Sequence, residues 1–256
     1  MNPIDPSAPG HAVARLRAAR LATAVKPFVA RGSRTERCPG CRLAPSHCMC
    51  HLQPATPSSA GVCLLMGDIE ALKTSNTGWI IADVVPDTWA FAWSRTEPEP
   101  AMLALLADPR WQPYLVFPGE YAEPARVVST VAQPAPGDPA SPTVRRPLFV
   151  LLDGTWSEAR KMFRKSPYLD ALPVLSLQPG HLSNYRLRRS RRGDHFCTAE
   201  VAALCLELAG QARAADVLGA YLDVFTSRYL SAKLSHITPP DDEAHLRWQG
   251  LQAPPV

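Results

Sequence analysis

Short apolar runs alternate with helix-spaced apolar positions along most of the chain. Residues 61–66 (GVCLLM) form an unbroken apolar run of strand length, and a helical pattern follows at 76–85. A strand is predicted at 88–93, a helix at 99–107, and a strand at 114–118 that closes on Phe117-Pro118-Gly119. The clearest strand is 147–153 (PLFVLLD), a continuous apolar run of the kind buried on both faces. A helix is predicted at 156–164 and a strand at 174–177, and 198–213 and 214–234 are mostly helical. This alternation predicts an α/β fold: a largely parallel sheet with helices on both faces. Ligands of such sheets sit beyond the carboxyl ends of the strands, which singles out 117–119 and 153–156.

Proline and polar residues mark the boundaries. Residues 1–12 and the tail from about 238 are expected to fray, and 133–146 (QPAPGDPASPTVRR) reads as a loop. The resulting division is a basic N-terminal arm (1–36), a cysteine knuckle (37–51), the main α/β domain (60–237) and a Pro-rich tail (238–256). At 256 residues and 46% hydrophobic, the chain can bury one substantial core, which excludes global disorder. Its longest apolar runs are far too short to cross a bilayer.

Net charge is only +4, but it is segregated. Residues 15–42 carry eight Lys/Arg and one acid, Glu36 (net +7); residues 160–192 carry nine Lys/Arg and one acid, Asp170 (net +8). The rest of the chain is therefore at −11. Such segregation suits a polyanion partner, because neutralised phosphates release counterions. Solvated Arg-rich helices that only keep the chain soluble are the plainer explanation.

Seven cysteines fall into two groups. Cys38-Pro-Gly-Cys41 and Cys48-Met-Cys50 crowd into thirteen positions, and two tight turns bearing paired thiolates can supply a tetrahedral Zn²⁺ site. Pro39-Gly40 suits the sharp turn. The second pair is one residue closer than usual; His47 and His51 flank it as substitute ligands, and an iron–sulfur cluster is an alternative. A closed four-thiolate site would be structural, stapling the Arg-rich arm to the body. Cys63, Cys197 and Cys205 sit in apolar surroundings and are expected in the core. The odd count and the lack of a charged-then-apolar opening point to a reducing, cytoplasmic setting. Residues 11–37, Arg- and Ala-rich, vaguely resemble a mitochondrial presequence, although Asp5 and the early prolines fit that poorly.

Asp153-Gly154-Thr155-Trp156 follows the clearest strand, and Thr155 with Glu158 fits a capping box. Trp156, Ala159 and Phe163 mark an inward face, with Arg160, Lys161, Arg164 and Lys165 outward. Asp153 is either a turn carboxylate or one aimed at a ligand. Further on, the basic stretch 185–192 (YRLRRSRR) leads into His195 and Thr198-Ala199-Glu200. Thr198 reads as an N-cap and Glu200 as a first-turn acid favoured by the helix dipole. Asn76 in Asn76-Thr77-Gly78 reads first as an N-cap.

Together these residues resemble the DTW-domain family. The matching pieces are the four-cysteine knuckle, Asn76-Thr77-Gly78, Phe117-Pro118-Gly119, Leu152-Asp153-Gly154-Thr155-Trp156 with Ala159-Arg160-Lys161-Met162, Tyr185-Arg186-Leu187-Arg188, and Thr198-Ala199-Glu200. They occur in the family's order over roughly residues 37–201. The resemblance implies a domain related to the SPOUT-type fold, possibly knotted. It also implies a tRNA-uridine aminocarboxypropyltransferase that takes S-adenosylmethionine, with methyl transfer or RNA binding without catalysis as the rivals. Under it Asp153 is the base or the group orienting the uracil, with Glu200 the alternative. Phe117, Pro118, Gly119, Thr155, Trp156 and Thr198 would hold the cofactor, partly through backbone amides. Arg160, Arg164, Arg186, Arg188 and Arg189 would hold RNA or the cofactor carboxylate. Two departures stand out: Gly67-Asp68 where a His-Pro-like pair is usual, and an expanded 133–146.

Overall fold

The structure, a computed structural model, describes residues 10–26, 28–29, 35–54, 56–132, 145–177, 196–239 and 241–252. Its strands are β1 (Gly61–Met66), β2 (Thr88–Ala92), β3 (Trp111–Val116), β4 (Val127–Val128), β5 (Arg146–Asp153) and β6 (Val174–Leu175). They form one sheet in the order β2-β1-β5-β3-β6-β4, and every pairing is parallel. The longest run, β5, lies inside the sheet between β1 and β3, with Leu64 opposite Leu151 and Leu115 opposite Val150.

Because side chains alternate along a strand, β1 and β5 feed two cores. Val62, Leu64, Met66, Phe149 and Leu151 pack on one side with α1 (Ala12–Ala22), α2 (Gly78–Val84), α5 (Thr198–Leu208) and α6 (Ala212–Lys233). Cys63, Leu65, Leu148 and Val150 pack on the other with α3 (Pro100–Ala107) and α4 (Trp156–Lys165). The α/β class, the parallel sheet and the two helical layers are therefore as the hydrophobic pattern indicates. Cys63 and Cys205 are fully buried; Cys197 is half-buried.

Several boundaries differ. β3 begins at Trp111, not Tyr114, and so contains Pro113. Leu115 and Phe117 donate their N–H groups toward the β6 side, to Pro173 and Leu175. Pro113 would face the same way, two residues before β6 begins, so its missing N–H removes no ladder bond. The last long helical stretch breaks at Gly210 (φ 72°), several residues earlier than expected.

Of the two stretches expected to fray, residues 1–9 and 253–256 lie outside the described residues, and the parts beside them form helices. In the basic arm, α1 buries Val13 and Leu16, and His11 Nδ1 accepts from the Ala14 N–H to cap it. Arg17 donates to the Leu72 carbonyl, and Arg20 to the Asp68 carbonyl and carboxylate. Part of the arm's charge thus grips the loop after β1. In the tail, α7 (Glu243–Gln252) buries His245 and Trp248, the latter against Tyr221. In the described part of the tail, one buried indole outweighs the prolines that point to fraying. Of the 133–146 stretch, 133–144 lie outside the described residues, and Arg146 opens β5. No helix among the described residues is long and apolar enough to cross a membrane.

Candidate active site and metal knuckle

The four cysteines of the knuckle converge. Their sulfurs lie within 4.8 Å of one another, with Cys38–Cys50 at 3.5 Å, Cys38–Cys48 at 3.5 Å and Cys41–Cys48 at 3.9 Å. Tetrahedral zinc with Zn–S of roughly 2.3 Å places its sulfurs about 3.8 Å apart, so the set fits a single ion. A multi-iron cluster would hold its thiolates wider. A Cβ on Gly40 would lie 2.7 Å from Cys50 Sγ, so only glycine lets the first turn pass beside the second pair. The backbone N–H of Cys41, directed at Cys38 Sγ, is the main cause that draws the Cys38 thiol down to about 7. His47 is not a substitute ligand: its Nε2–H donates to the His236 carbonyl (2.7 Å), and Nδ1 accepts from Ser46. His51 is exposed and stands outside the sulfur cluster.

The knuckle is tied into the fold from two sides. Arg228, on α6, donates to the Cys48 carbonyl and to His245 Nε2 (2.9 Å). On the other side Arg42, between a ligand and the core residue Leu43, donates from Nη1 to the Lys73 carbonyl (2.7 Å) and from Nη2 to the Asn76 carbonyl (3.0 Å).

Asp153 ends β5 opposite Met66 of β1, and its carbonyl accepts from the Gly67 N–H (2.8 Å). Its side chain is 3% exposed and held from two helix starts. Asn76 Nδ2 donates to Oδ2 (2.7 Å), and the Thr198 hydroxyl donates to Oδ1 (2.5 Å). Gly78 permits this: a Cβ there would lie 3.0 Å from Asp153 Oδ2 and 3.1 Å from Leu64 Cδ1. Burial pushes the Asp153 carboxyl up, against the lowering effect of its two donors; Glu70 adds to the rise and Lys73 opposes it.

The other expected residues fall around this carboxylate in different ways. Thr198 is the first residue of α5 and not its cap. Cys197 stands at the N-cap, which frees the Thr198 hydroxyl for Asp153. Glu200 is buried, and its Oε2 accepts the Cys197 N–H (2.6 Å), closing a capping box. Thr155 caps α4 with Glu158 as the pattern indicates. Trp156 is 42% exposed and not inward-facing; Met162 takes the buried place, while the Trp156 indole stacks on Phe117 (5.4 Å, 9°). Phe117 also stacks on Phe163 and meets Tyr121 edge-on, so an aromatic shelf runs along the carboxyl end of β3.

One expectation fails here. The amides at 117–119 are not available to a cofactor: Phe117 donates to the Leu175 carbonyl, Gly119 donates to Ser176 Oγ (3.0 Å), and Pro118 has no N–H. Any ligand contact there must use ring faces or carbonyls. Arg160 is half-buried above the Tyr121 ring (5.2 Å), and Arg164 is exposed on the outer face of α4. Arg186, Arg188, Arg189, Tyr185 and His195 lie outside the described residues. A cleft of about 340 Å³ opens between the end of α1 and the loop after β1, lined among others by Arg20, Lys26, Phe28, Asp68 and Ile69.

Sequence reasoning gave too little weight to Asn76 and Gly78, and gave Arg42 no role. Thr77, not Asn76, stands at the N-cap of α2; from one residue earlier Asn76 Oδ1 still accepts from the Trp79 N–H (3.2 Å), and its amide also binds Asp153. The signal was the Asn-Thr-Gly triplet itself. Arg42 had none beyond its place beside Cys41.

A parallel α/β protein with a buried strand-end carboxylate and a thiolate knuckle is the framework these features define. The DTW domain matches residues 35–230, and the chain belongs to that family. The domain is the one found in tRNA-uridine aminocarboxypropyltransferases, which places this chain in a family of tRNA-modifying enzymes. No solved structure matches the chain.

Proposed function

We infer that the protein transfers the 3-amino-3-carboxypropyl group of S-adenosylmethionine to N3 of a uridine in tRNA. The observation that carries this is Asp153: a carboxylate at the end of an internal strand, held by Asn76 and Thr198 and made more basic by burial. S-adenosylmethionine supplies a γ-carbon bonded to a sulfonium, whose departure as methylthioadenosine needs no acid. Two tasks remain for the protein, removing a weakly acidic imide proton and aligning N3 with that carbon. Asp153 takes the N3 proton as the N–C bond forms and the C–S bond breaks. A base in position is worth roughly 10²–10⁴ in rate, and good alignment about 7–11 kcal/mol.

The residues present fit a cationic, aromatic ligand. Asp153, with the buried Glu70 that pairs with Lys73, would give a sulfonium a negative neighbourhood, and Trp156, stacked on Phe117, would add aromatic surface beside it. Thr198 and Asn76 orient Asp153 so that both oxygens stay fixed. Arg160 carries a buried Nε with no partner among the described residues, which suits a carboxylate or phosphate oxygen. The outer face of α4, with Lys161, Arg164 and Lys165 exposed, would meet tRNA phosphates, together with Arg186, Arg188 and Arg189. Glu200, committed to the Cys197 amide, sets the start of α5 and so the place of Thr198. The zinc knuckle would be structural, with all four positions filled by Cys38, Cys41, Cys48 and Cys50.

The coproduct separates this reaction from its nearest rival. Turnover with unmodified tRNA should release methylthioadenosine; release of S-adenosylhomocysteine would mean methyl transfer instead. A chain that binds tRNA but yields neither product would be a binding protein.

A further inference from the structure

The knuckle and the Asp153 site are joined by one side chain. Arg42 has left-handed backbone (φ 64°), its N–H donates to the Cys38 carbonyl, and Cys38 in turn donates to the Leu43 carbonyl (both 2.8 Å). Its position is therefore set by the loop that carries two of the four sulfurs. The side chain is 3% exposed and forms no ion pair among the described residues. Its planar fork spans the carbonyls of Lys73 and Asn76, and the guanidinium lies 4.1 Å above the Trp79 ring. Asn76, so held, places its amide 2.7 Å from Asp153 Oδ2.

Burying a cation costs much unless charge and hydrogen bonds offset it. Arg17 adds to that cost, while Asp83, Cys41 and Asp153 reduce it. Four thiolates around Zn²⁺ would carry a net charge of −2, and Arg42 is the buried cation next to them, with Arg37 donating to its carbonyl (3.2 Å). Apolar packing could join the two parts without such a cost. What an arginine adds is direction, because two carbonyls of one loop are fixed by a rigid fork.

We propose that Arg42 is a positioning residue that makes the geometry of Asp153 depend on an occupied knuckle, through the path Cys41–Arg42–Asn76–Asp153. This rests on Asp153 acting in the transfer, and it gives the metal a role beyond holding the fold. In Arg42→Lys the charge stays but the fork is lost; in Arg42→Met both are lost. Both variants, purified with one metal per chain, should keep the wild-type KM for each substrate. The kcat should fall, by roughly 10- to 100-fold for Lys, since a misplacement near 1 Å can cost about 10²-fold, and further for Met.

A second readout does not use activity. Amide hydrogen exchange at Ile80 and Ile81, which donate to the Thr77 carbonyl at the start of α2, should quicken when a chelator strips metal from the wild-type chain. In Arg42→Met exchange there should already be fast and should not respond to the chelator. Metal-loaded Arg42→Lys and Arg42→Met with wild-type kcat would overturn the proposal, as would exchange in α2 that ignores metal removal in the wild type. If the wild-type chain shows no transfer at all, the proposed reaction fails, and the exchange measurement alone decides whether the linkage exists. If Arg42→Met does not fold, Arg42→Lys carries the test.

Discussion

Asp153→Asn separates catalysis from stability more sharply than any other substitution. The exchange is isosteric, and its hydrogen bonds can be followed atom by atom. The new amide oxygen can accept from Asn76 Nδ2, where Asp153 Oδ2 accepts now at 2.7 Å. The new NH₂ then faces Thr198, whose hydroxyl turns from donor to acceptor. No buried group loses its partner, so the hydrogen-bond cost should stay within about 1 kcal/mol. The charge term acts the other way. Burial raises the folded-state carboxyl above its unfolded value. The wild-type chain therefore loses stability as pH rises from the ordinary carboxylate range through that raised value. Asparagine removes the loss. Thermal unfolding at neutral pH should give a melting temperature equal to or above the wild type, while methylthioadenosine release falls by roughly 10²–10⁴. In the wild type, kcat/KM should climb with pH through a value above the usual carboxylate range, and the residual rate of the variant should lack that limb. A variant with more than about a tenth of wild-type turnover would refute Asp153 as base. A variant destabilised by about 3 kcal/mol or more would show that the carboxylate is structural.

Further substitutions test the surroundings. Gly40→Ala drives a Cβ to 2.7 Å from Cys50 Sγ; metal titration should show markedly weaker zinc binding and a lower melting temperature, and unchanged affinity would contradict the knuckle geometry. Asp83, pushed up to about 7 chiefly by burial, and His11, drawn down to about 4 by burial and then by Arg42 and Arg15, act on stability with opposite slopes. Asp83 lowers stability as pH rises from about 4 to 7, whereas His11 raises it from about 4 to 6.5. In Asp83→Asn only the His11 slope of this pair remains, so the melting temperature should climb across pH 4–6.5 more than in the wild type; parallel curves would refute the assignment. Arg164→Ala removes an exposed cation on α4; tRNA affinity should fall uniformly across sequences with the salt slope shallower by about 1, and the KM for S-adenosylmethionine should not move.

The parallel sheet was legible because its inner strands are apolar on both faces: GVCLLM and PLFVLLD are too short for helices and have the unbroken apolar run of buried strands. β3 starts three residues before the expected strand and takes in Pro113, a residue rare inside sheets, which only the short reach of β6 makes harmless. The helices of the arm and the tail are hidden for a related reason. Prolines and arginines dominate the composition of the arm and tail, but Val13, Leu16 and Trp248 decide what they do. At the site, Asp153 and the four cysteines stood out because strand ends and thiol spacing carry meaning locally. The partnership of Asp153 with Thr198 did not, since it depends on Cys197 moving the cap of α5 one residue upstream. Nor did Arg42, whose contacts at Lys73 and Asn76 lie more than thirty residues away.

The most direct test of the reaction is to weigh its product. The purified, zinc-loaded chain is incubated with S-adenosylmethionine and unmodified tRNA transcripts, and the digested nucleosides are resolved by mass. A uridine heavier by one amino-carboxypropyl group, absent with Asp153→Asn, is the result expected. A uridine heavier by a single methyl group, or no modified nucleoside from a folded chain that binds tRNA, would contradict it.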